Sequence, residues 1–155
     1  MPSRIEEQLA HLGLALPVTV SPRANYVSTV RVGNLVFTAG QLPQADGKIE
    51  FVGKLGHDLS VEEGKSAARL CALNILAHLK AACGGDLDRV RRCVRVGGFV
   101  NSSPEFTDQP QVLNGASDLL VEVMGDAGRH ARTAVSVASL PRGAAVEVDA
   151  VFEVE

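Results

Sequence analysis

The sequence from His130 to Val154 reads HARTAVSVASLPRGAAVEVDAVFEV. Apolar residues, mostly valines, recur at every second position along residues 131–139 and again along residues 144–154, which is the period of a β-strand with one buried face. The Leu-Pro-Arg-Gly segment between the two runs holds the residues of a connecting turn. The sequence therefore predicts two strands in this stretch.

The predicted second faces of these strands are small and polar, with a few charges. Arg132, Ala134 and Ser136 are assigned to this face of the first strand, and Glu147 and Asp149 to this face of the second. Small residues permit the close approach of another sheet, which a symmetric oligomer would supply. A sheet face that is simply solvated remains the alternative.

The segments upstream predict further helices and strands. Ser60 and Glu63 have the spacing of a capping box, and the helix that they open stops at Gly84-Gly85. A β-hairpin is predicted around the link Gly33-Asn34. The predicted order is a short helix at 4–14, a hairpin over 26–39, a helix from about 61 to 83, a strand at 92–100, a helix at about 105–125, and strands at 131–139 and 144–154. This order indicates an α+β domain with two helices on one face of a sheet.

The composition is that of a globular protein with one domain. The chain has 155 residues, of which 46% are hydrophobic and 21% charged, and this length fits one core. Its net charge of −3 argues against nucleic-acid binding, which needs a concentrated positive surface. No apolar stretch has the length of a membrane span, and residues 1–7 lack the features of a signal peptide. We therefore expect a cytoplasmic protein that does not bind membranes.

Neither the cysteines nor the histidines have metal-ligand spacing. Cys71, Cys83 and Cys93 form no CxxC pair and are predicted to be buried free thiols. The four histidines are scattered along the chain. We therefore expect no metal site.

Two segments resemble the RidA/YjgF-like family of imine deaminases, also called endoribonuclease L-PSP-like. Tyr26 precedes VRVGNLVFTAGQLP at residues 30–43, and in residues 130–154 the motifs Ala-Arg-Thr, Leu-Pro and Val-Glu-Val-Asp-Ala recur at the family's offsets. The similarity covers residues 21–155, and residues 1–20 form a predicted helical extension. It implies a chorismate-mutase-like β-hairpin-α-β-α-β-β fold, a homotrimer with a β-barrel core, and sites between subunits.

The resemblance also implies a reaction and a set of site residues. Members of the family hydrolyse small 2-imino acids to 2-keto acids and ammonia. Arg132 matches the arginine that binds the substrate carboxylate, and a guanidinium can do so with two parallel hydrogen bonds. Glu147 matches the glutamate that positions the attacking water. The implied substrate-binding positions are Tyr26, Ala39, Gly40, Asn114 and Ala134.

Two of these positions depart from the family's usual residues. Ala39 stands where many members have serine, and Ala134 where many have cysteine, so the identity of the substrate stays open. Structural roles are the alternative at the two catalytic positions: an intersubunit ion pair of Arg132 with Asp149, and an ordinary exposed strand carboxylate at Glu147. The implied reaction needs neither metal nor cofactor, because an imine is already electrophilic and its hydrolysis requires only orientation and proton transfer.

Three other functions agree with parts of the sequence. A non-catalytic trimer that binds a small carboxylate would use the same Arg132 and Glu147. Ribonuclease activity, for which some relatives are named, is disfavoured by the acidic balance of the chain. A chorismate-mutase-like activity would favour more than one inward arginine, because its substrate is a dianion.

Overall fold

The computed structural model describes residues 1 to 155, which fold into three helices and seven strands. The helices are α1 (Arg4–His11), α2 (Val61–Ala82) and α3 (Gln109–Met124). The strands are β1 (Thr29–Val32), β2 (Leu35–Thr38), β3 (Gln44–Ala45), β4 (Lys48–Ile49), β5 (Val90–Asn101), β6 (Ala131–Val137) and β7 (Val146–Val154). Short 3₁₀ turns at Leu87–Arg89, Gly125–Gly128 and Pro141–Gly143 precede β5, β6 and β7.

Five strands form one mixed sheet in the order β1-β2-β7-β5-β6. β6 runs parallel to β5, whereas the other neighbouring pairs are antiparallel. The last strand, β7, lies between β2 and β5, and this leaves β6 at an edge. β3 and β4 form a separate small hairpin. The predicted α+β, chorismate-mutase-like arrangement is thereby confirmed.

Helices α2 and α3 cover one face of the sheet. α2 begins at the predicted capping box, where Ser60 Oγ accepts from the backbone N–H of Glu63 at 3.1 Å and Glu63 Oε1 accepts from that of Ser60 at 3.0 Å. The two helices cross closely at Gly115, because a Cβ there would overlap the carbonyl oxygen of Lys65. This close crossing brings α3 down onto β5 and β6.

The core lies between the helix layer and the sheet. Valine, leucine and alanine dominate it, and Phe152 is its largest fully buried side chain. Ile5 and Leu9 of α1 belong to the same core. The three cysteines are buried and free, as predicted.

Several predicted boundaries were wrong; α1, for example, ends at His11 rather than at Leu14. α3 begins at Gln109 rather than near residue 105, because a turn precedes it in which the backbone N–H of Phe106 donates to the carbonyl of Ser103 at 3.2 Å. β1 begins at Thr29, which leaves Tyr26 outside the sheet. Helix and strand termini are the positions at which local patterns are least informative.

The strand faces also differ from the prediction. Arg132 pairs with Val96 of β5, which is fully buried beneath the helices. Arg132 and the residues two and four positions further on therefore face the helix layer. Glu147 and Asp149 lie on the open face of the sheet, where a Cβ at Gly97 would overlap the Asp149 carboxylate. The prediction that Arg132 and Glu147 share a face was wrong.

The open face is more apolar than predicted. Its large exposed side chains come from β1, β2 and β6: Val30, Val32, Leu35, Phe37 and Val135. Their exposed fractions run from 36% to 62%. Clustered apolar exposure of this kind is typical of an interaction surface.

Candidate functional site

Arg132 lies at the start of β6 with its guanidinium directed toward α3. Its Nη1 donates to Asn114 Oδ1 at 2.9 Å and to Ser117 Oγ at 3.1 Å, and its Nη2 donates to the carbonyl oxygen of Pro110 at 3.3 Å. A guanidinium has five N–H donors, so Nε–H and one Nη2–H are left over. None of the ion pairs in the structure includes Arg132. This half-buried cation therefore has neutral partners only, and two donors on neighbouring nitrogen positions remain for an anion.

Two residues beyond Arg132 extend its hydrogen-bond network. Ser117 Oγ lies 2.8 Å from Nε2 of His130, and Nδ1 of His130 lies 2.6 Å from the carbonyl oxygen of Gly128. A carbonyl can only accept, so Nδ1 carries the proton, and Nε2 of the neutral ring accepts from the Ser117 hydroxyl. Burial lowers the pKa of His130; the hydrogen bond to the Gly128 carbonyl acts in the opposite direction, and the charge of Arg132 has a smaller lowering effect. The neutral ring is thus the favoured form.

Glu147 is half-buried on the open face, beside Gly40. Gln41 and Val148 exchange two backbone hydrogen bonds of 2.7 and 3.0 Å, and these bonds hold the segment that follows β2 against β7. A Cβ at Gly40 would overlap the Glu147 carboxylate, so the absence of a side chain leaves room for that carboxylate. Burial raises the pKa of Glu147, and the nearby Asp149 raises it further. A carboxyl with a raised pKa is suited to exchanging protons nearer neutral pH.

The other charge that acts on this pair comes from Arg95. Burial raises the pKa of Asp149, while the charge of Arg95 and a hydrogen bond from the backbone of Gly97 act in the opposite direction. Within the protomer, Arg95 rather than Arg132 is therefore the arginine near Asp149. Glu147 has no cationic partner of its own.

Tyr26 and Gly40 line one surface pocket of about 700 Å³. The pocket is bordered by Arg23, His78 and Arg142, none of which forms a salt bridge. Ala39 lies at the same end of the sheet, and its backbone N–H donates to the carbonyl of Ser28 at 2.8 Å. Many members of the resembled family have serine at this position. Because Ala39 has only a methyl group, this half of the site lacks that hydroxyl.

The candidate residues therefore form two groups that do not meet within one chain. Arg132, Asn114 and Ala134 lie between β6 and α3, on the helix side of the sheet. Glu147, Gly40, Ala39 and Tyr26 lie at the end of β2 and in the segment before β1. No hydrogen bond or ion pair joins the two groups, and they lie on opposite faces of the sheet and in strands separated by β5.

Sequence reasoning missed Ser117 and His130. Ser117 follows Asn114 by three residues, which places both on the same side of α3. His130 stands two residues before Arg132 in the conspicuous His-Ala-Arg segment. Both spacings could have drawn attention to these two residues. The contact between Ser117 and His130, however, depends on how α3 packs against β6.

The structure shows neither a metal-binding cluster nor a helix that could span a membrane. It contains no group of three or more His, Cys, Asp or Glu side chains arranged to hold a metal ion. None of its helices combines the length and the apolar character that crossing a membrane requires.

Comparisons with known proteins identify relatives in sequence and in fold. Residues 6–152 match a family model described as "YjgF/chorismate_mutase-like, putative endoribonuclease". Protein TCP17 of Trypanosoma cruzi is 52% identical over 151 residues, which are 97% of this chain and 94% of that one. An Agrobacterium tumefaciens protein of unknown function is 50% identical, with a TM-score of 0.93 over 98% of this chain and 93% of that one. RidA from an Antarctic Psychrobacter, at 24% identity, shares the fold with a TM-score of 0.59 over 89% and 93% of the two chains.

Proposed function

Because the chain belongs to the YjgF/chorismate-mutase-like family, we propose that it hydrolyses small 2-imino acids to 2-keto acids and ammonia. The observation that carries the proposal is the environment of Arg132. A half-buried guanidinium is held by three neutral acceptors, has no acidic partner, and keeps two N–H groups free. A small carboxylate supplies the missing charge and accepts both bonds.

Glu147 supports a catalytic step rather than binding alone. In the proposed reaction, its carboxylate holds a water molecule and accepts a proton as the water oxygen adds to the imine carbon. That proton passes to the imine nitrogen and gives a neutral carbinolamine. The carboxylate then transfers the hydroxyl proton of the carbinolamine to its nitrogen, the C–N bond breaks, and ammonia leaves with its electron pair as the C=O bond of the keto acid forms. The raised pKa of Glu147 brings it closer to the pH at which one group can perform both transfers. No metal or cofactor takes part in this scheme.

The proposal requires more than one subunit, because the two groups of residues lie on opposite faces of one sheet. In the proposed homotrimer, the open faces form a β-barrel core and Arg132 of one subunit meets Glu147 of the next. The exposed apolar side chains on the open face support this arrangement, since they lose contact with water when another sheet covers them. The barrel and the shared clefts remain part of the proposal.

The test is Glu147→Gln, with ammonia release measured on imines generated in situ from several amino acids. Glutamine keeps the size and one acceptor of glutamate but cannot take up a proton. We expect turnover to fall by about 10²–10⁴-fold, the usual range for a general acid–base group. Affinity for pyruvate, a stable 2-keto acid, should change little because the carboxylate contacts belong to Arg132.

Glu153→Gln is the matched control, since Glu153 lies on the same face of the same strand and pairs with Leu35 at the opposite end from Gly40. Its turnover should equal that of the wild type. Wild-type protein that binds pyruvate but releases no ammonia from any imine would instead identify a non-catalytic carboxylate-binding protein. Equal turnover in wild type and a folded Glu147→Gln variant would remove Glu147 from the mechanism.

A further inference from the structure

Arg132 is the start of a continuous hydrogen-bond chain that ends at the backbone of the 3₁₀ turn Gly125–Gly128. The chain runs from Arg132 Nη1 to Ser117 Oγ (3.1 Å), from Ser117 to His130 Nε2 (2.8 Å), and from His130 Nδ1 to the Gly128 carbonyl (2.6 Å). Three elements contribute to it: β6, α3 and the 3₁₀ turn together with the residues that follow it. Such a chain fixes the direction in which every member donates.

The direction of donation is set at the Gly128 end. Because the carbonyl accepts from Nδ1, the Nε2 lone pair faces Ser117, and the single hydroxyl proton of Ser117 is committed to His130. A lone pair of Ser117 Oγ is then left for Arg132. If the ring carried a proton on Nε2 instead, Ser117 Oγ would face two N–H donors and the hydroxyl proton would have to point elsewhere.

From this geometry we infer that Ser117 and His130 are positioning residues that orient Arg132 for a substrate carboxylate. They touch no substrate themselves. With Nη1 fixed by Ser117 and Asn114 and one Nη2–H bonded to the Pro110 carbonyl, the donors left for a ligand are the Nε–H and the second Nη2–H. Donors on these two nitrogens are able to bind a carboxylate through two parallel bonds. The inference rests on the proposed role of Arg132 and specifies which residues make it effective.

The charges around His130 make its protonation state consequential. Arg132 on β6 is the charged group that acts on the ring, while α3 contributes the neutral Ser117 hydroxyl and the 3₁₀ turn contributes the neutral Gly128 carbonyl. The nearby ion pair of Arg129 with Asp126 is exposed. Protonation of the ring places a second cation beside the guanidinium and reverses the bond to Ser117. The neutral ring is therefore the form in which Ser117 donates to His130 and accepts from Arg132.

Two pairs of substitutions distinguish a role of Ser117 and His130 in orienting Arg132 from a role in packing. Ser117→Ala removes the hydroxyl, whereas Ser117→Thr keeps it. His130→Gln keeps an acceptor for Ser117 but does not titrate, whereas His130→Asn keeps a donor for Gly128 but is too short to reach Ser117. Circular dichroism and light scattering would establish that each variant has the fold and assembly of the wild type.

Pyruvate affinity by calorimetry is the principal measurement, made in the Glu147→Gln background so that titration of that carboxyl does not contribute. We expect Ser117→Ala and His130→Asn to weaken binding about tenfold, the scale of one hydrogen bond to a charged group. Ser117→Thr and His130→Gln should stay within about twofold of the parent. With Glu147 intact, the Ser117→Ala loss should appear in KM for imine hydrolysis more than in kcat, because the carboxylate contact is equally present in the ground and transition states.

A ligand-free measurement tests the same chain. Nitrogen-15 spectra of the imidazole should show the Nδ1–H tautomer for neutral His130, and the Nε2–H tautomer would overturn the inference whether or not the protein is an enzyme. Unchanged pyruvate affinity in a folded Ser117→Ala variant would overturn it as well. Failure of the proposed function has a different signature: wild-type protein that binds pyruvate, with the Ser117 dependence intact, but releases no ammonia.

Discussion

Arg132→Lys changes the proposed carboxylate contact while keeping its charge. The arginine places three N–H groups on protein acceptors at 2.9, 3.1 and 3.3 Å and has two left for a ligand. A lysine ammonium has three donors on one atom, so it cannot satisfy Asn114, Ser117 and the Pro110 carbonyl and still form two parallel bonds to a carboxylate. The substitution therefore removes at least one charge-assisted hydrogen bond from the bound state.

The expected loss is about 2–4 kcal/mol in transition-state binding, the scale for disrupting a buried hydrogen-bonded charge pair at an interface. This corresponds to a decrease in kcat/KM of about 30- to 1000-fold. The assay is ammonia release from imines generated in situ, with pyruvate affinity measured on the same preparation. Pyruvate affinity should fall in parallel, because keto acid and imine present the same carboxylate.

Arg129→Lys is the matched control, since Arg129 is an exposed arginine three residues before Arg132 and its ion-pair partner, Asp126, is also exposed. An exposed ion pair contributes little, so this control should behave as the wild type. Near-normal kcat/KM in a folded Arg132→Lys variant would refute the reasoning and assign Arg132 a structural role.

Four further perturbations test other parts of the site. Gly40→Ala should lower turnover about 10²-fold with the fold intact, because the added Cβ displaces the Glu147 carboxylate; wild-type turnover would separate Gly40 from that carboxylate. Turnover should rise with pH through the pKa of Glu147, which lies above its usual 4.5, since the ionised form accepts the proton from water; a profile flat from pH 4 to 7 would contradict this. Phe37→Glu should convert the proposed trimer to a smaller species in light scattering, because a carboxylate is placed on the apolar open face, and an unchanged mass would show that this face is not an interface. Chelators and thiol reagents should leave turnover unchanged, since the thiols are buried and burial raises the pKa of Cys93 to about 12; inactivation by a chelator that added metal reverses would overturn the cofactor-free scheme.

The elements that the sequence predicted well are those specified by neighbouring residues. The capping box at Ser60 and Glu63 and the hairpin link at Gly33-Asn34 involve residues within three positions of one another, and both are confirmed. The regular apolar spacing of α2 likewise needs only the local helical period. Fold class followed because these local features occur in one order.

The face of β6 was beyond such reasoning. Alternation divides a strand into two sets of residues but does not say which set is buried, and at an edge strand both sets are partly exposed. Arg132 faces the helices because β6 pairs in parallel with β5 in a register that no local motif records. The same long-range packing brings Ser117 within reach of His130, thirteen positions further along the chain.

The separation of Arg132 and Glu147 onto opposite faces of the sheet has a genetic consequence. If each site takes its arginine from one subunit and its glutamate from the next, Arg132→Lys and Glu147→Gln chains are each inactive alone but can complement one another. Every mixed ring of three contains one junction at which an intact arginine meets an intact glutamate, so random mixing of equal amounts restores about a quarter of the sites. Two alleles, each without function when homozygous, would then be active together, which is not expected of a protein whose site lies within one chain.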